Sequence, residues 1–161
     1  MSLHAHVYCD CFEKNKLLTP PPSGLQFQVD EDGSLGLKNR KSTIDEYLVW
    51  DHWREKLACV HPGGILLRHY LGNISLIGLL RDKLEQDSSR FELLITKVVY
   101  SGSHAGDYVP AHKIPKLQKE LQSLNNFNGR SSSEKHFLND FQSKMSELAT
   151  FALSVKKPIV F

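Results

Sequence analysis

The chain has 161 residues, 40% of them hydrophobic and 24% charged, with a formal net charge of +2. That length suits one domain with a real core, and lysines and arginines scattered among nearly as many carboxylates exclude polyanion binding driven by bulk charge. No apolar run is long enough to span a bilayer, Met1-Ser2-Leu3-His4 begins no signal peptide, and an odd set of 3 cysteines argues against a disulfide framework, so a cytoplasmic protein with reduced thiols is expected.

Residues 3–9 alternate, with Leu3, Ala5, Val7 and Cys9 on one face and His4, His6 and Tyr8 on the other. This period of two predicts a strand. Thr19-Pro20-Pro21-Pro22-Ser23-Gly24 is a loop. A hairpin follows, in which Leu25, Phe27 and Val29 alternate, Asp30-Glu31-Asp32-Gly33 turns, and Leu35 and Leu37 return. Thr43 and Glu46 have capping-box spacing and open a helix. Its expected buried stripe is Ile44, Tyr47, Leu48, Trp50, Trp53 and Leu57.

His61-Pro62-Gly63-Gly64 ends that helix, and residues 65–71 read as a buried strand. Asn73 caps a second helix over residues 74–85. Residues 90–100 are apolar and β-branched and predict another strand, leading into the loop Tyr100-Ser101-Gly102-Ser103-His104-Ala105-Gly106-Asp107-Tyr108. Pro110 and Pro115 fix the start of a third helix with Leu117, Leu121 and Leu124 on its apolar face. The serines at 131–133 cap a fourth helix over residues 134–155, with a stripe of Phe137, Leu138, Phe141, Met145, Leu148, Ala149 and Ala152. Lys156 and Lys157 suit its dipole, Pro158 stops it, and Ile159-Val160-Phe161 forms a last strand. The order predicts an α+β (or mixed α/β) single domain over residues 1–161. It has a mixed sheet of about five or six strands with about four helices packed on it.

Three constellations invite chemistry. His4, His6, Cys9 and Cys11 concentrate potential zinc ligands. On a continuous strand, however, the histidines and cysteines face opposite ways and converge only if the strand bends or ends near Tyr8. Two cysteines one residue apart are a poor chelate, and no Cys-x-x-Cys or His-x3-His pair occurs elsewhere. No metal and no cofactor are therefore expected. Cys59-Val60-His61 has the residue types of a nucleophile and its base, but a helix C-terminus is the wrong electrostatic end for a thiolate. His104 and Asp107 are the best catalytic pair by spacing, with Ser101 or Ser103 as a nominal nucleophile. The loop lacks a Gly-x-Ser-x-Gly elbow and no phosphate-binding Gly-rich loop is present. Its glycines have a sufficient role as turn formers, and no catalytic residue is assigned.

Asp45, Glu46, Asp51, His52 and Glu55 fall on the polar side of the first helix and read as a solvated face. No basic stripe with interleaved aromatics occurs, so no nucleic acid is expected as a partner.

The second half of the chain carries an apolar strand, a Ser-Gly-x-His-x-Gly-Asp-like loop, a helix with Leu117-x2-Glu120-Leu121, a Phe- and Leu-rich helix and a closing Lys157-Pro158-Ile159-Val160-Phe161. In this pattern residues 91–161 resemble bacterial polymorphic-toxin immunity proteins, most closely immunity protein family 70. The first ninety residues differ from that family's usual short N-terminal part. The resemblance implies a cytoplasmic protein that binds and neutralises a cognate toxin domain by non-covalent association, with no cofactor and no membrane. Candidate contact residues are Ser103, His104, Asp107 and Tyr108 in the loop. Asp30, Glu31 and Asp32 supply a local acidic patch on a slightly basic chain. The alternative is a small hydrolase using His104 and Asp107, with or without a metal. Oligomeric state is left open.

Overall fold

The computed structural model describes residues 2–38, 42–100, 104, 107–126 and 131–161. Strand β1 (Ser2–Tyr8) buries Leu3, Ala5 and Val7, as the alternation requires. It is an inner strand of a four-stranded sheet that also holds β4 (Ile65–Asn73), β5 (Tyr108–Val109) and β6 (Ile159–Val160), in the order β4-β1-β6-β5. Every pairing in it is antiparallel. β2 (Phe27–Val29) and β3 (Leu35–Leu37) make a separate hairpin. The α+β class expected from the sequence is present, but in place of one mixed sheet the described residues hold six strands in two antiparallel sheets.

Among the described residues four α-helices accompany them: α1 (Ile44–Lys56), α2 (Ile74–Leu84), α3 (Ile114–Ser123) and α4 (Ser132–Val155). Their starts follow local chemistry. The Glu46 N–H donates to Thr43 Oγ1 at 3.2 Å and the Thr43 N–H donates to Glu46 Oε2 at 2.7 Å, a complete capping box. Asn73 Oδ1 accepts from the Leu76 N–H at 2.9 Å, and Ser131 Oγ from the Glu134 N–H at 3.2 Å. Among the described residues no helix is long and apolar enough to cross a membrane.

Two further expectations are corrected. Within the segment expected as a strand over residues 90–100, residues 92–98 are helical, with a π-helical turn at Leu94–Val98. Phe91, Leu94 and Val98 are fully buried at helical spacing. The Leu93 and Leu94 N–H groups donate to the Glu120 carboxylate at 3.0 and 2.9 Å. A buried side-chain cap thus overrides the β-branched composition. The buried stripe of α1 is also narrower than expected. Trp50 and Trp53 are buried, but Ile44 is 79% and Leu48 58% exposed, and Tyr47 and Leu57 are exposed as well.

The cause is that α1 packs on a small second core. The main core joins the inner face of β1 to α2, α3 and α4 through residues such as Leu80, Leu117, Phe141 and Leu148. The second comprises Trp50, Trp53 and Ala58 with Leu17, Leu25, Phe27, Leu35 and Leu37 around them. It is too small to cover more than one stripe of a helix.

Candidate functional site

Antiparallel pairing sets Tyr8, the last residue of β1, opposite Ile65, the first of β4. The residues just after β1 and just before β4 therefore leave the same end of the sheet. Those residues are Cys9-Asp10-Cys11 and Cys59-Val60-His61. The Cys9 N–H donates to the Gly64 carbonyl at 2.7 Å, and the Lys16 N–H to the Cys11 carbonyl at 2.8 Å, which folds the first segment into a tight turn. The second segment is turned by Pro62-Gly63-Gly64, where both glycines have positive φ (62° and 71°). The positive φ of Gly63 favours glycine there, and a Cβ would only displace the flexible end of Glu55, 2.9 Å away.

These turns gather all 3 cysteines of the chain and one histidine. One potential ligand atom from each of Cys9, Cys11, Cys59 and His61 lies within 4.8 Å of the others. Cys9 Sγ is 3.8 Å from Cys59 Sγ. His61 Nδ1 is 3.4 Å from Cys11 Sγ and 3.9 Å from Cys59 Sγ. Cys11 is buried and the other two thiols are partly so. Burial pushes the Cys9 thiol up to about 12, against the opposing pull of the Cys11 backbone N–H, which favours a thiolate. Burial also raises Cys11.

The sequence sets His4 and His6 beside Cys9 and Cys11 and holds no second Cys-x-x-Cys or His-x3-His pair. The structure gathers the cysteines without these two histidines. The strand does end at Tyr8, but His6 pairs across the sheet with Arg68 and His4 with Tyr70, away from the turn. Cys59-x-His61, whose residue types alone suggest a nucleophile and base, completes the cluster. The signal available in the sequence was two ligand-x-ligand pairs, one ending a strand and one preceding another.

The loop residues have a different arrangement. Ser103 lies outside the described residues. The Asp107 carboxylate accepts the Tyr100 hydroxyl, and that bond pushes the Tyr100 phenol up to about 12 by favouring its neutral form. The Asp107 N–H donates to the His104 carbonyl at 3.1 Å, and the Asp107 carbonyl accepts the Phe161 N–H at 2.9 Å. Asp107 thus braces the loop against the chain's last residue. The His104 ring packs on Tyr100, with centroids 4.3 Å apart, and its Nδ1 is buried without a hydrogen-bond partner among the described residues.

Tyr108 is brought to the hairpin turn. Its hydroxyl donates to Glu31 Oε2 at 3.0 Å, which raises the phenol's pKa. Asp30, Glu31, Asp32 and Tyr108 line one open groove with Gln28 and Leu37. Two of these carboxylates also build the turn. Asp32 Oδ1 accepts the Ser34 N–H and hydroxyl at 2.9 and 2.7 Å, and Asp30 Oδ1 accepts from the Gln28 amide at 2.7 Å.

No protein-family model, curated protein or solved structure matches the chain.

Proposed function

We propose that the chain is a cytoplasmic immunity protein that neutralises a cognate toxin domain by non-covalent binding. The observation that carries this reading is the groove in which Asp30, Glu31 and Asp32 meet Tyr108. Residues from two distant segments form one acidic surface with an aromatic edge, a composition suited to a basic, complementary protein face. The resemblance of residues 91–161 to toxin immunity proteins implies the same task, although the strand that opens its pattern is helical here. The hydrolase alternative lacks an assembled dyad among the described residues, because the Asp107 carboxylate is engaged by Tyr100 rather than by the His104 ring.

Co-expression with a toxin domain encoded beside this chain tests the reading. Growth rescue and a stable complex on size exclusion are expected. Replacing Glu31→Lys together with Tyr108→Ala should weaken the complex at least tenfold and flatten its salt dependence. Absence of both rescue and complex overturns the assignment. Loss of a hydrolytic activity on His104→Ala, with folding intact, favours the hydrolase instead.

A further inference from the structure

We propose that Cys9, Cys11, Cys59 and His61 bind one zinc ion in a closed Cys3His tetrahedron. The inference is independent of the toxin-binding reading and rests on the geometry at the shared end of β1 and β4.

Three of the six ligand separations are close to the edges of a tetrahedral site, and all six lie within 4.8 Å. With Zn–S of about 2.3 Å and Zn–N of about 2.05 Å, tetrahedral edges are about 3.8 Å for S···S and about 3.6 Å for S···N. The observed edges are 3.8 Å for Cys9–Cys59, 3.4 Å for Cys11–His61 and 3.9 Å for Cys59–His61. A cross-link between two thiols needs sulfurs about 2.05 Å apart and leaves the third thiol and the imidazole without a role. One ion uses all four groups.

The chemistry of the set selects the metal. Three thiolates and an imidazole at tetrahedral spacing favour zinc over the hard cations, which take oxygen ligands. Four protein ligands fill the coordination sphere, so the site is structural, with no position open for water or substrate. On binding, the three thiols release their protons and the ion is held as a singly negative centre. The centre would fasten the turn after β1 to the segment after α1. It thereby ties the second core, in which Trp50 and Trp53 sit, to the main sheet.

The test is metal analysis of the full chain, purified under reducing conditions. One zinc per chain is expected. Replacing zinc by Co2+ should give the visible bands of tetrahedral cobalt, with thiolate-to-cobalt charge transfer of an intensity corresponding to three sulfurs. Cys11→Ser and His61→Ala should each weaken metal binding at least tenfold, whereas the double variant His4→Ala, His6→Ala should retain full stoichiometry. The proposal is overturned if the wild-type chain takes up neither zinc nor cobalt, if the cobalt spectrum is octahedral or reports fewer than three thiolates, or if the His4, His6 variant loses the metal. The spectrum of the wild-type protein decides the matter even where a ligand variant fails to fold.

Discussion

Glu120 is 4% exposed, and its carboxylate is matched by two backbone donors, the N–H groups of Leu93 and Leu94. Glu120→Ala strands both donors in the main core, where each unsatisfied group costs about 1–3 kcal/mol. A loss of about 2–4 kcal/mol is expected, read as a lower urea midpoint, and Glu120→Gln should recover part of it by keeping one acceptor. In the sequence Glu120 is one more acidic residue on an amphipathic helix, because nothing local discloses that a distant backbone turn is its partner. His6 offers a pH-dependent counterpart. Burial first, and then the positive charge of Arg68, lower its pKa from 6.5 to about 4, against a smaller opposing effect of Asp32. Between those two values the unfolded chain takes up a proton that the folded chain refuses. Stability should therefore fall as the pH drops from 6.5 towards 4, by about 1–2 kcal/mol once the ring's partial exposure is allowed for. Urea midpoints across that window should show a shallower acid loss for His6→Asn than for the wild-type chain.

Elements whose boundaries are set by neighbouring residues were legible. Thr43 with Glu46, Asn73 and Ser131 cap helices where spacing places them, and the stripe of α4 is buried from Leu138 on, with Phe137 partly buried. Elements decided by distant contacts were not. Residues 90–100 have strand composition, but residues 92–98 take a helical form under the Glu120 cap. The cysteine pairs look isolated until β1 is known to lie against β4. The C-terminus of α4 shows a further local rule at work. Lys156 occupies the left-handed cap at φ 56°, ψ 38°, and its N–H donates to the Ala152 and Leu153 carbonyls. A side chain with a Cβ is strained there, and glycine is not. Lys156→Gly should raise stability by about 0.5 kcal/mol, since relief of the strain exceeds the lost charge–dipole attraction and the added freedom of the unfolded chain. Thermal unfolding of the two proteins compares them directly, and a lower melting temperature for the glycine variant would count against the strain argument.

At the scale of the whole molecule, side-chain contacts bridge the two cores, among them the Tyr108 hydroxyl on Glu31. The Leu18 N–H donates to the Ala58 carbonyl at 2.8 Å within the smaller part. Buried Lys157, beyond α4, reaches across to the Gly33 carbonyl at 3.2 Å and pairs with Glu13. The Cys3His centre would be the strongest link between the parts, since structural zinc sites contribute apparent binding energies of about 10–16 kcal/mol in small domains. Removing the ion should then loosen the second core while the main core persists. The chain separates the two signals by its own composition. Both of its 2 tryptophans lie in the second core. Its longest helix, α4 with 24 residues, packs in the main core, whereas α1 contributes 13. A strong chelator added to the zinc-loaded protein should shift tryptophan emission to the red and open the rings to a soluble quencher. Far-UV circular dichroism should retain most of its helical amplitude, and restored zinc should reverse the change. Parallel loss of emission and helicity would mean that the two cores unfold as one cooperative unit and that the metal supports the whole fold rather than its N-terminal part.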